Sequence, residues 1–410
     1  MSGHGAPLTR ATAFAAIEGL SLVVGFLTQP LLMRALGPAA YGDYALAIAL
    51  GVVAVTVTDF GFNFAGVVRA VELAGDPVRA RRHFWAVQGV KLAAGLGCVA
   101  AGALWSAAAG GRQGPVVLTA MVVGLAAAWG FPSWFLMARQ KLTTVAISLL
   151  LARVLGLLGV WWWVQGPQQV LAAVVLTLGA PALAGLMACV DRDLRAQLRP
   201  CRPNRADLRD AARSGLSTLW LSGQGVVSAA VVQSLLIAWC GSAALGLYAA
   251  ADRVRGGLQG LFTAFGAAVF PRLVQDRVQG DAAAPRMAWS LLRLQLLVAA
   301  LGALALLAGA PAVVAAVSGP AYAEAVPVLR VLALALLSTT LLSSLGLQLM
   351  VPQGHTGLYS RATLLLLLLQ AGALAVLAPA WGALGAAWAL LLCEGAVGLV
   401  LLRFMRRRPV

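Results

Sequence analysis

The sequence predicts an all-α, polytopic membrane protein of about twelve transmembrane helices in two parallel six-helix lobes around a central cavity. Three observations lead to the membrane assignment. Of the 410 residues, 61% are apolar and 11% charged, whereas an ordinary soluble domain is about a quarter charged. The mean hydropathy is +0.87, so too few polar side chains remain to cover a soluble surface. The apolar residues also run in long unbroken stretches, which excludes the short alternating strands of a transmembrane barrel. Disordered chains and disulfide-stapled secreted domains are excluded by the same composition.

A crossing needs roughly 20 mainly apolar residues. On that measure spans fall near 11–33, 42–68, 84–108, 115–138, 142–164, 169–190, 215–239, 244–270, 289–316, 327–350, 361–379 and 382–403. The first is longer than a secretory signal core, has no evident cleavage site and carries Glu18 and Gln29, so it reads as a span.

The net charge of +16 would suggest nucleic acid in a soluble protein. Here its placement gives another reason. With the N-terminus in the cytoplasm, the second connection holds Arg69, Arg79, Arg81 and Arg82, and the fourth Arg139 and Lys141. The sixth is richest, with Arg192, Arg195, Arg199, Arg202, Arg205, Arg209 and Arg213. Arg272, Arg277 and Arg286 fall in the eighth, Arg361 ends the tenth, and Arg403, Arg406, Arg407 and Arg408 close the chain. The odd connections hold little beyond Arg34, Arg112 and Arg330. This alternation predicts a multi-pass protein with both termini cytoplasmic and no nucleic-acid partner. The sixth connection, 191–214, carries Pro200 and Pro203 and reads as a cytoplasmic linker with a short surface helix. It separates an N-terminal lobe, 1–190, from a C-terminal lobe, 215–410. Its basicity is explained by topology and lipid headgroups.

A repeat lies across that linker. Residues 29–45 read QPLLMRALGPAAYGDYA, and residues 233–249 read QSLLIAWCGSAALGLYA. Without a gap, Gln29 aligns with Gln233, Gly37 with Gly241, Gly42 with Gly246 and Tyr44 with Tyr248. Each copy ends its half's first span, turns tightly and starts the second. Both run in the same direction, so the halves are parallel repeats, an arrangement in which substrate sits between them.

On these residues the chain resembles the polysaccharide biosynthesis (O-antigen flippase) family of the multidrug/oligosaccharidyl-lipid/polysaccharide exporter superfamily. The resemblance is carried by R-x-L-G-P-x-x-Y-G-x-Y at Arg34–Tyr44, D-F-G-F at Asp59–Phe62, G-L-Y-A-A-A-D-R-V at Gly246–Val254, F-P-R at Phe270–Arg272, and the turn from Ser318 to Ala325. It implies a two-lobed, twelve-helix fold whose cavity opens alternately to either side. The implied substrate is an oligosaccharide repeat unit, of O-antigen or exopolysaccharide, on an undecaprenyl diphosphate carrier in the bacterial inner membrane. No cofactor is implied, and glycan polymerases are possible partners.

Charges inside spans are costly, so they face protein or a water-filled cavity. Arg153, Lys91, Arg253 and Arg255 are the cations suited to a diphosphate. Arg253 ranks first because it matches the family's basic position after Tyr248. Gln29, Gln233, Tyr44 and Tyr248 suit sugar hydroxyls. Glu18, Asp59 and Asp252 are candidates for a coupling proton, since a carboxyl in apolar surroundings gains affinity for one. Each charge also has a structural reading: Asp252 with Arg255 one turn on, Glu18 with a cation on a neighbouring helix, and Lys91 snorkelling to the interface, while Glu394 reads as merely structural. Trp161, Trp162, Trp163, Trp239 and Trp381 fall at outer span ends and read as an interfacial belt, with sugar stacking as the minor option. Small pairs such as Gly256 with Gly260, and Gly382 with Ala386, read as helix contacts.

The alternative on the same fold is a multidrug or toxin exporter, which would favour an anionic, aromatic cavity. A glycan polymerase or ligase ranks lower. Every external connection is short, and neither paired carboxylates nor metal-ligand spacing is present on one. The scattered His4, His83 and His355, and five cysteines without a C-x-x-C pair, add no catalytic or metal motif.

Overall fold

In the computed structural model the backbone is described for residues 5–73, 75–109, 111–278 and 284–407; side chains at 5–16, 18, 22, 109, 217, 220–222, 224, 261–286 and 347 lie outside the described set. The Glu18 carboxyl and the Phe270–Arg272 motif therefore fall outside it.

The described residues form helices and no strand. This is what lipid demands of an Ala- and Leu-rich chain: helices satisfy every backbone polar group internally. In chain order they are α1 (Gly5–Asp59), α2 (Phe62–Glu72), α3 (Pro77–Ala109), α4 (Gln113–Gly130), α5 (Ser133–Ala138), α6 (Leu142–Trp163), α7 (Val170–Leu178), α8 (Ala180–Ala188), α9 (Arg192–Gln197), α10 (Arg205–Val278), α11 (Ala284–Val317), α12 (Ala325–Ser344) and α13 (Thr356–Arg407).

Nine helical stretches among the described residues are long and apolar enough to cross a membrane. Three are broken internally. Gly37 in α1 has φ 71° and ψ 171°, Gly241 in α10 has φ 81° and ψ 174°, and Gly382 in α13 has φ 56° and ψ −130°. A side chain would clash in these conformations, so glycine alone occupies them without strain. Each break falls in an expected outer turn. Divided there, the nine stretches become twelve apolar segments, consistent with the expected span count.

The chain forms two compact units. The first comprises Met1–Leu36 with Asp43–Ala230, and the second Gly37–Gly42 with Val231–Val410. The division falls inside α10 rather than at the linker. Residues early in α10 stay with the first unit because Thr218 Oγ1 donates to the Gly61 carbonyl at 3.0 Å and Gly215 packs on Phe60.

The first unit's core gathers Phe62, Phe84, Trp134, Phe135 and Leu194. Phe84 meets Trp134 and Phe135 with ring centroids 5.9 and 5.6 Å apart. The linker is docked onto this unit. Trp85 Nε1 donates to the carbonyls of Gln197 and Arg199 at 3.1 and 3.0 Å, and Leu194 is fully buried. Asp191 caps α9 by accepting from the backbone N–H groups of Asp193 and Leu194, the expected role of an Asp at this position.

Lys141 Nζ lies 2.7 Å from Asp191 and 2.6 Å from Asp193, tying the connection between α5 and α6 to the linker. Burial works against both charges. For Lys141 the bonds to Asp191 and Asp193 outweigh it and raise the pKa above the usual lysine value. For Asp191 the Lys141 bond and the two capping N–H groups outweigh it and lower the pKa below the usual carboxylate value. The depressed Asp191 contributes stability that is present above the unfolded carboxylate range and lost as pH falls through its folded pKa. The raised Lys141 contributes stability that is present below the unfolded lysine range and lost as pH rises through its own. Lys141→Met should therefore cost about 1 kcal/mol between roughly pH 5 and 9. In thermal unfolding of the detergent-solubilised protein, the gap from wild type should close in acid below the carboxylate range.

The second unit's core joins Leu292 of α11, Leu342 of α12, Leu345 and Leu349 after it, and Cys393, Val397 and Leu401 of α13. Residues Leu345–Met350 form a π-helical turn. Beside it Gln295 Oε1 accepts from Ser344 Oγ at 2.6 Å and Gln348 Nε2 at 2.9 Å. The two repeat turns also meet here. A Cβ on Gly42 would overlap the Ser242 carbonyl, and one on Gly246 would overlap the Pro38 carbonyl. Pro38 and Ser242 are themselves aligned in the repeat, so the contact is reciprocal, as across a two-fold axis. Gly319 repeats the turn conformation with φ 92° and ψ 173°. The buried rings of Tyr41 and Tyr322, which follow Gly37 and Gly319, meet edge to face at 6.3 Å. Not every small-residue contact forms: no described atom lies within 4 Å of a Cβ built on Gly256 or Gly260, and Gly382 is a turn residue.

Candidate functional site

Each unit holds a polar constellation among its apolar helices. In the first, Lys91 Nζ lies 2.8 Å from Asp59 Oδ1, with side-chain exposures of 1% and 24%. Asn63 Nδ2 also donates to Asp59 at 3.4 Å. The end of α1 carries Asp59 and the middle of α3 carries Lys91, so packing of two helices makes the pair. Lys91 does not snorkel to an interface; it is buried and neutralised in place. Arg153 on α6 donates to Ser21 Oγ on α1 at 2.7 Å. Gln29 is buried, next to Thr28, whose hydroxyl donates to the Val24 carbonyl.

The second unit's constellation centres on Arg255. Its guanidinium reaches Asp252 Oδ1 through Nε at 2.8 Å and Nη2 at 2.7 Å. This is the one-turn pair that the spacing suggests. Its Nη1 donates to Thr339 Oγ1 at 3.0 Å, and that hydroxyl donates in turn to Glu394 Oε2. Arg255 belongs to α10, Thr339 to α12 and Glu394 to α13, so three helices converge on one cation. Glu394 is buried, as is Tyr248 one turn before Asp252. One guanidinium thus serves two carboxylates, directly for Asp252 and through a hydroxyl for Glu394. Arg253 is different: its side chain is exposed. Gln233 Oε1 is buried without a hydrogen-bond partner.

The structure therefore joins Asp252 with Arg255, and Asp59 with Lys91, and places Arg153, Gln29, Gln233 and Arg253 elsewhere. Thr339 carries no signal in the sequence, because a hydroxyl in an apolar helix is most often bonded to its own backbone. Glu394 is visible as a mid-span charge, but its partner is not. Among the described residues no group of three or more His, Cys, Asp or Glu side chains is placed to hold a metal. The tryptophans Trp161, Trp162 and Trp163 are all exposed at the end of α6.

Residues 10–276 match the model of the family described as polysaccharide biosynthesis protein. The chain belongs to that polysaccharide biosynthesis family. Its match extends to a curated relative, "Putative O-antigen transporter" of Escherichia coli (strain K12), 25% identical over 407 residues, 97% of this chain and 96% of that protein. Two solved structures are similar in fold. An inward-facing multidrug resistance MATE transporter of the MOP superfamily gives a TM-score of 0.73 at 15% identity, over 94% of each chain. The lipid II flippase MurJ in an inward closed conformation gives 0.76 at 14% identity, over 97% of this chain and 88% of that one. This member of the polysaccharide biosynthesis family is thus a multi-pass α-helical membrane protein.

Proposed function

We propose that the protein flips an oligosaccharide repeat unit, carried on undecaprenyl diphosphate, across the bacterial inner membrane by alternating access. Its termini lie in the cytoplasm, and it is built from six-helix lobes, 1–190 and 215–410, that rock during transport. Membership of the polysaccharide biosynthesis family over most of the chain carries this reading. Similarity to an O-antigen transporter along nearly the whole length supports it. Membrane lipids surround the lobes, and a glycan polymerase receives the delivered unit.

Arg253 is the proposed diphosphate contact, because it matches the family's basic position after Tyr248 and its side chain is exposed. Arg153, Gln29, Gln233 and Tyr248 complete the proposed substrate set, and Glu18, Asp59 and Asp252 are the proposed coupling carboxylates. A deletion strain should accumulate lipid-linked repeat units on the cytoplasmic leaflet. Arg253→Ala should reproduce that accumulation at normal protein abundance, with export reduced about tenfold or more, the loss expected for a charge-assisted phosphate contact. Repeat units reaching the outer face of a deletion strain that has no second flippase would overturn the assignment. The MATE likeness favours drug export as a second reading; unchanged surface glycan with new sensitivity to cationic dyes would establish it.

A further inference from the structure

The outer turns of the two units are built differently. In the first, Arg112 from the turn between α3 and α4 reaches across its neighbours. Its Nε lies 4.0 Å from Asp43 Oδ2, and its Nη2 donates to the Pro167 carbonyl. Three turns are cross-linked by one side chain, and Asp43 is left 7% exposed.

In the second unit the corresponding turns leave a cavity of about 320 Å³. Most of its lining is apolar, including Ala243, Ala244, Leu247 and Val328. Leu247 is the repeat counterpart of Asp43, so the acceptor that anchors the cross-link in one half is absent from the other. Two side chains with recognition chemistry share that lining, Trp381 and Glu324. Trp381 is 56% exposed, and among the described residues no cation pairs with Glu324. The cavity is framed by three glycine turns with φ of 81°, 92° and 56° at Gly241, Gly319 and Gly382, so its walls are set by backbone that other residues cannot adopt without strain.

We infer that this cavity is a saccharide subsite, in which the Trp381 ring stacks on the apolar face of a hexose and the Glu324 carboxylate accepts hydrogen bonds from its hydroxyls. The volume is at the lower end of small-ligand sites, which combine apolar walls with a few placed polar groups. Tryptophan offers an apolar face to the C–H side of a sugar ring, and an ionised carboxylate only accepts, matching a ring edge of O–H donors. A lipid chain would use the apolar lining but have no use for the carboxylate. The inference rests on the proposed flippase function and extends it: the glycan part of the substrate would be held at the outer turns after crossing, apart from the diphosphate contact at Arg253.

The probe is the free oligosaccharide released by mild acid from the lipid-linked pool of a deletion strain. Saturation-transfer NMR reads its binding to the full-length protein in nanodiscs. Transfer to sugar protons is expected with wild type, weakened about fivefold in Trp381→Ala and by a comparable factor in Glu324→Gln, and largely kept in Trp381→Tyr. Equal transfer in wild type and both variants overturns the subsite and leaves the flippase reading standing. Absence of transfer with wild type also overturns it and leaves the cleft to lipid. A deletion strain that accumulates no lipid-linked saccharide overturns the flippase reading, and the subsite with it.

Discussion

Arg255→Ala is expected to deplete folded protein from the membrane, not merely to slow transport. The guanidinium is 12% exposed and is bonded to Asp252 and, through Thr339, to Glu394. Removing it leaves a buried carboxylate in an apolar helix without its counter-charge. Breaking a buried pair from one side costs about 3–5 kcal/mol, because the remaining charge has lost water and gained nothing. The loss should appear as low abundance and a depressed unfolding temperature in detergent. Arg255→Lys should recover only part of it, since an ammonium cannot present the fork that engages Asp252 and Thr339 at once. Neutralising all three charges together, with Glu394→Gln and Asp252→Asn added to Arg255→Ala, should restore abundance, because the uncompensated charge is then gone. If abundance stays normal in Arg255→Ala alone, the cluster does not hold the three helices.

The Lys91–Asp59 pair gives an experiment that separates structure from substrate contact. Lys91→Met should cost about 3 kcal/mol or more for the same reason, and Asp59→Asn should cost at least as much, since it leaves an ammonium with 1% exposure. The double variant should regain abundance. It should also regain export if the pair only joins α1 to α3. An abundant double variant with no export would show instead that the ammonium or the carboxylate acts on substrate or on a coupling proton. Immunoblotting of membranes beside a surface-glycan assay reads both quantities in the same cells.

These two pairs also show what a sequence displays and what it conceals. Asp252 and Arg255 are three residues apart on one helix, so their pairing follows from helical geometry. Asp59 and Lys91 lie on different helices, and nothing local distinguishes their pairing from Lys91 reaching to an interface. Thr339 and Glu394 are 55 positions apart and meet only because α12 packs on α13. The helical spans were legible from the apolar runs, since the bilayer sets a minimum length. The turns at Gly37 and Gly241 were legible as breaks in those runs, although helical backbone continues on either side of each single glycine. At Gly256 and Gly260 no contact is found among the described residues, since spacing by four marks one helix face without saying what lies opposite it. The boundary between compact units was not legible either. It follows hydrogen bonding around Gly61 and Thr218, whereas the change in polarity falls earlier, in the linker.

The reciprocal contact of Gly42 and Gly246 bears on how such a chain can change over time. Elsewhere the two halves are free to diverge, as Asp43 and Leu247 have done, because each residue answers only to its own surroundings. At the paired glycines the surroundings of one copy are the backbone of the other. A side chain gained at either position is excluded by a carbonyl that cannot be trimmed away by a second substitution. The two halves can drift apart in chemistry while remaining bound to one another's shape at this point.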